Sequence, residues 1–161
     1  MIDIEIEDPA WIDALPEAAR LVRVAAEAAM MSVGPLPVSE GGASLNVLLT
    51  DDASVRTLNA RFRDKDAATN VLSFPALPNP ENLLGDVALA FGICVREAGE
   101  QGKPLAHHLQ HLTVHGVLHL LGYDHIGDDE AEAMEGLERA VMAKLGVPDP
   151  YPVGEGEHER P

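Results

Sequence analysis

The sequence predicts an α+β fold, a small mixed four-stranded sheet packed with about five helices. Three observations carry that expectation. IDIEIE at the start alternates apolar and acidic side chains with period two, the signature of a strand with one buried face. DVALAFG (Asp86 to Gly92) is a short, nearly continuous apolar run, as expected of a central strand buried on both faces. Between and after such runs, apolar residues recur at helical spacing, so strands and helices interleave as in a layered domain.

Taken in order, Ile2, Ile4 and Ile6 form the first strand. Pro16 opens a helix carrying Ala18, Leu21, Val22, Ala25, Ala29 and Met30, which ends at the loop GPLPVSEGG. SLNVLLT (Ser44 to Thr50) is the second strand, and Asp51 and Asp52 are candidate N-caps for a helix whose apolar stripe is Val55, Leu58 and Phe62. RDKDAATN is a loop before the short strand NVLSF, which Pro75 stops. ALPNPENLL connects to the central strand at Asp86, and a short helix then ends near Gly102. Pro104 starts a helix that runs to about Leu121, where Gly122 supplies a left-handed cap. The last helix spans about Asp128 to Leu145, with acidic residues in its first turn and Lys144 in its last, as the helix dipole favours. From Val147 onward proline, glycine and charge predict a frayed end, so one domain is expected over 1–150 and a flexible tail over 151–161.

The 161 residues, 46% of them hydrophobic, suffice for one core and not for two ordinary domains. A single cysteine, Cys94, forms no intramolecular disulfide, and the N-terminus lacks both the basic and the apolar parts of a secretion signal. The expected location is cytoplasmic, with no membrane partner. A net charge of −16 excludes a surface that is basic all over and holds nucleic acid by charge alone. The charges are nevertheless segregated: Arg56, Arg61, Arg63 and Lys65 cluster, while Asp128, Asp129, Glu130, Glu132, Glu135 and Glu138 crowd a later segment.

HGVLHLLGYDH at 115–125 carries the chemistry. Residues four apart on a helix lie on one face with Cβ atoms about 5–6 Å apart, so His115 and His119 converge on one ion. Ending the helix at Gly122 lets the chain swing back and bring His125 to the same ion. Three neutral imidazoles leave a fourth position open, the arrangement of a catalytic zinc site. This zincin-like spacing matches the metzincin peptidase signature H-E-x-x-H-x-x-G-x-x-H except that Gly116 replaces the glutamate that serves as general base. His111 extends the same stripe and is a candidate to orient a ligand or assist proton transfer; Asp86 and Asp124 are candidates to orient an imidazole from outside. His107, His108 and His158 read as surface residues, and Cys94 as a buried small residue.

The same motif, together with LNARFRDKDAATNVLSFP (Leu58 to Pro75) and LLGDVALA (Leu83 to Ala90), resembles the YbeY family of bacterial endoribonucleases and rRNA maturation factors. The resemblance runs from about Leu48 to Tyr151. It implies a cytoplasmic, metal-dependent, single-strand-specific endoribonuclease that acts on precursor rRNA in 16S 3′-end maturation and in ribosome quality control. The small ribosomal subunit, and a ribosomal protein of it, are the implied partners. It further implies one zinc ion per chain on His115, His119 and His125, and a functional arginine at Arg63. Phosphodiester cleavage builds negative charge on the phosphoryl oxygens, which suits a Lewis acid and an arginine able to fork onto phosphate. RNA carries its own nucleophile, the 2′-hydroxyl, which makes Gly116 tolerable. The competing readings are a zinc peptidase or amidase, against which Gly116 stands, and a non-catalytic ribosome assembly factor with structural zinc. With aromatic residues at 4%, RNA contact is expected at backbone and shape rather than on a stacking platform.

Overall fold

Ile2, Ile4 and Ile6 do turn one way: the first strand, β1 (Ile2–Ile6), leaves Asp3 and Glu5 exposed on its other side. The computed structural model describes residues 2–33, 43–123 and 127–151. Within them β1 is followed by α1 (Ala10–Ala14), α2 (Ala18–Ser32), β2 (Ser44–Thr50), α3 (Asp52–Arg63), β3 (Val71–Pro75), β4 (Leu83–Ala90), α4 (Phe91–Gln101), α5 (Leu105–Leu120) and α6 (Asp128–Lys144). The four strands form one mixed sheet in the order β1-β2-β4-β3, parallel except for the antiparallel β3–β4 pair. No described helix is long and apolar enough to cross a membrane.

Two elements differ from expectation. The short helix α1 has too few residues to show periodicity; Asp8 caps it by accepting from the Ala10 N–H at 2.9 Å. Its purpose is visible in Trp11, fully buried, whose Nε1–H donates to the Thr50 carbonyl at 3.0 Å and whose ring meets Phe91 edge-on at 5.1 Å. The strand β4 begins at Leu83 rather than Asp86: Gly85, at φ 145°, falls where the register against β2 shifts by one residue, and the strand still pairs there with Pro75. A Cβ on Gly85 would lie 2.3 Å from the Phe74 carbonyl oxygen, so only glycine closes this pair.

The two sheet faces are unequal. Leu45, Val47, Leu49, Val87 and Leu89 point to one side, where they form the main core with α2, α5 and α6, including Val22, Leu109, Leu118, Met134 and Met142. On the other side Val55, Leu72 and Ala90 form a small core under α3. Asp51 caps α3 as expected, its carboxylate accepting from the Ser54 N–H at 2.7 Å, and that bond holds the carboxyl below its ordinary pKa. Asp52 instead accepts from the Ile93 N–H at the start of α4, 3.1 Å away.

Helix α5 is buried on nearly every side, the pattern of a helix running through a core rather than over it. It ends as predicted: Gly122 has φ 105°, and the Tyr123 N–H returns to the Leu118 carbonyl at 3.1 Å. Two contacts seat it. At Gly116 the helix lies directly on the sheet, where a Cβ would come within 2.9 Å of Val87 Cγ1 and 3.2 Å of Ser73 Oγ, and the Ser73 hydroxyl donates to the Gly116 carbonyl at 3.2 Å. Near the other end, His108 is buried and not at the surface, its Nε2 2.9 Å from Glu97, which also accepts from Asn70 at 3.0 Å. The chain also stays packed just beyond Val147, where the sequence predicts fraying. Val147 is buried in the main core, and Arg139 holds the following turn through Asp149 at 3.2 Å and the Tyr151 carbonyl at 3.1 Å.

Two outcomes follow from the seating of α5. Gly116→Val places two methyl groups into an occupied space and is expected to cost about 1–3 kcal/mol in urea unfolding followed by circular dichroism; an unchanged midpoint contradicts the close approach. Burial outweighs the Glu97 hydrogen bond and pushes the His108 pKa below its ordinary 6.5. The unfolded chain then takes up a proton that the folded chain resists, so this contribution to stability is whole above pH 6.5 and declines as the pH falls. Between about pH 7.5 and about pH 5 the wild type should lose stability more steeply than His108→Gln, and parallel profiles would contradict it.

Candidate active site

The C-terminal half of α5 presents His115 and His119 on one face, each half-buried. Directly behind them, on α6, lies Glu138, whose side chain has no exposure at all. Its two oxygens are both engaged. His111 Nε2 approaches Oε1 at 2.5 Å, Tyr151 donates its hydroxyl to the same oxygen at 2.7 Å, and His115 Nδ1 lies 3.1 Å from Oε2. Burial by itself would raise the Glu138 pKa, but the hydrogen bonds and charges of His111 and His115 outweigh it and bring the carboxyl down to about 2.

An ionised carboxylate only accepts hydrogen bonds, so the hydrogens in this cluster belong to its neighbours. A neutral His115 bonded in this way carries its proton on Nδ1 and keeps its lone pair on Nε2, the nitrogen away from Glu138. This is the state in which an imidazole ligates a metal, and carboxylates commonly enforce it from behind. The donor set on α5 thus fits an N-ligated divalent ion. His125, the expected third ligand, and Asp124 lie outside the described residues, and among the described residues no three His, Cys, Asp or Glu side chains are arranged to hold a metal ion.

The remaining expected site residues separate. Asp86 belongs to the opposite face: Val87 next to it touches α5, while Asp86 turns away and accepts from Asn46 at 2.9 Å. It does not orient His115 or His119, because strand alternation sends its side chain through the sheet. His111, expected to help move a proton, turns its Nε2 inward to Glu138 and packs its ring against Tyr151 at 5.3 Å; it supports the site from within. Arg63 stands at the end of α3 and donates through Nη2 to the Ser73 carbonyl on the edge strand β3. Since the Ser73 hydroxyl bonds Gly116, one residue links the guanidinium to the helix turn that begins at His115.

Glu138 and Tyr151 escaped the sequence reading. Glu138 stands in the sequence as one of the acidic residues crowding the last helix, although it lies four residues after Met134 and three before Val141, both buried. A carboxylate inside an apolar stripe was the available signal. Tyr151 offered none, because its anchoring depends on Arg139, whose guanidinium also lies 5.6 Å from the tyrosine ring.

Comparison with known proteins places the chain in a family. The family model for Endoribonuclease YbeY matches residues 12–146. The chain is 49% identical over 159 residues to Endoribonuclease YbeY of Paramagnetospirillum magneticum, covering 93% of this chain and 94% of that one. It is 52% identical over 154 residues to the protein of the same name from Azorhizobium caulinodans, covering 93% and 95%. The solution structure of TM1509 from Thermotoga maritima has a similar fold, with a TM-score of 0.55 and 23% identity over 91% of this chain and 92% of that one. The chain belongs to the Endoribonuclease YbeY family.

Proposed function

We propose that this protein is a metal-dependent endoribonuclease, specific for single strands, that acts in the cytoplasm on precursor rRNA in 16S 3′-end maturation and ribosome quality control. The observation that carries the reading is the buried Glu138 carboxylate, which commits His115 to the tautomer with its lone pair on Nε2. His115, His119 and His125 are assigned to one zinc ion. The ion would supply Lewis acidity at the phosphoryl group when bound.

The chain's own residues divide the remaining work. Arg63 takes the scissile phosphate, a role its planar fork suits better than a point charge would. Its bond to Ser73 holds the guanidinium at the sheet edge beside α5. Glu138 and His111 keep His115 in place, and the 2′-hydroxyl of the RNA serves as the nucleophile: its bond to phosphorus forms as the bond to the 5′-oxygen breaks, its proton passes to solvent and the departing 5′-oxygen takes one up from solvent, so no motif glutamate is needed to activate an attacking water. The peptidase reading loses ground at Gly116, where a side chain would collide with Val87 instead of reaching the site. So acidic a chain approaches RNA on the ribosome more readily through a basic protein of the small subunit than through its own overall charge.

Three variants test this together, in metal analysis and in a precursor rRNA cleavage assay. His119→Ala is expected to lose metal and activity. Arg63→Ala should keep its metal and lose activity by about 100-fold or more. If metal-depleted protein or His119→Ala cleaves as well as wild type, metal catalysis is wrong; undiminished cleavage by Arg63→Ala removes the phosphate role. Glu138→Ala should weaken zinc binding by about 10–100-fold in a chelator competition, and unchanged affinity would show that Glu138 does not prepare His115.

A further inference from the structure

Phe62 completes the apolar stripe of α3 in the sequence, yet 61% of it is exposed, while Val55 on the same stripe is fully buried. Its surroundings are ordered and cationic. Arg61 stands over the Phe62 ring at 5.4 Å, Phe62 meets Phe74 at 5.7 Å with an interplanar angle of 65°, and Arg63 stands 5.4 Å from the Phe74 centroid. The result is a row, Arg61–Phe62–Phe74–Arg63, at the end of α3 and the β3 edge. Among the described residues no carboxylate forms an ion pair with Arg61, Arg63 or Lys65, although the chain carries a net charge of −16.

Resting on the proposed function, we infer that Phe62 is a stacking platform for one unpaired base of the RNA, with Arg61 and Arg63 taking the phosphates on either side. An exposed aromatic ring with one guanidinium beside it and a second on the adjoining Phe74 ring offers a base face and phosphate partners to a single strand. A duplex hides its base faces, so the same platform favours single-stranded substrate. The location suits the reaction, since Arg63 is joined through Ser73 to the helix turn bearing His115. This overrides the expectation, drawn from low aromatic content, that RNA contacts avoid the bases: one well-placed ring suffices.

The test compares wild type with Phe62→Ala, Phe62→Leu and Phe62→Trp in fluorescence anisotropy, using a single-stranded 2′-O-methyl oligonucleotide that resists cleavage, and in steady-state cleavage of the matching RNA. Because most of the ring is exposed, all four proteins should remain folded at the assay temperature, as circular dichroism checks. Phe62→Ala and Phe62→Leu are expected to weaken binding and raise KM about tenfold while kcat stays within about twofold, and Phe62→Trp to bind at least as well as wild type. Trp fluorescence in the last variant should be quenched by the oligonucleotide, and less by one with abasic positions. Wild-type affinity in Phe62→Leu would mean an apolar contact without stacking, and unchanged affinity in Phe62→Ala would mean no contact; either overturns the inference. Stacking without any cleavage by the metal-loaded wild type would overturn the proposed function and leave the platform standing, while wild type that does not bind the strand overturns the platform.

Discussion

A full negative charge sits inside this protein at Glu138, and the site depends on how that charge is satisfied. A buried carboxylate is costly to desolvate unless donors surround it, and removing one partner of such a group commonly costs several kcal/mol. Here three donors come from two places: His111 and His115 on α5, and Tyr151 beyond the end of α6. One charge therefore couples the buried helix to the last helix and to the chain that follows it. The same bond that satisfies Glu138 determines which nitrogen of His115 is left for a ligand, so fold and chemistry share one interaction.

The second constraint is the contact of α5 with the sheet. Gly116 lets the helix lie against Val87 and Ser73, and its neighbour His115 then emerges on the side facing Glu138. The glycine had been weighed as a missing catalytic letter. In the structure it is a packing residue: position 116 points to the sheet, where a Cβ would meet Val87 Cγ1 at 2.9 Å and Ser73 Oγ at 3.2 Å, so a glutamate there lacks space. Ser73 extends the contact outward, with its hydroxyl on the helix and its carbonyl on Arg63. Side chains far apart in sequence are thus referred to a common frame, the β3 edge.

Much of this was legible in the sequence because it rests on local patterns. Strand alternation, the Asp51 cap, the stop at Gly122 and the histidine pair at helical spacing all depend on residues within a few positions of one another. What was missed depends on distant partners. The helix around Trp11 is too short for a period, and the buried state of His108 needs Glu97 from a different helix. Asp86 is a candidate imidazole partner by its place beside the apolar run, but a continuous apolar run does not say which face each residue takes; only the observed contacts of Val87 and the bond of Asp86 to Asn46 show which face is which. Phe62 was misread for the opposite reason, since an apolar stripe states which residues share a face and not how far the core extends beneath it.

One proton on His115 decides whether α5 is prepared to hold a metal. In the protein freed of metal, nitrogen-detected or long-range proton–nitrogen NMR of His115 reports which ring nitrogen carries hydrogen. Hydrogen on Nδ1 in the wild type at neutral pH, with Nε2 responding when zinc is added, is the predicted result. Hydrogen on Nε2, with Nδ1 responding to zinc, would contradict the claim that Glu138 prepares this helix to hold a metal.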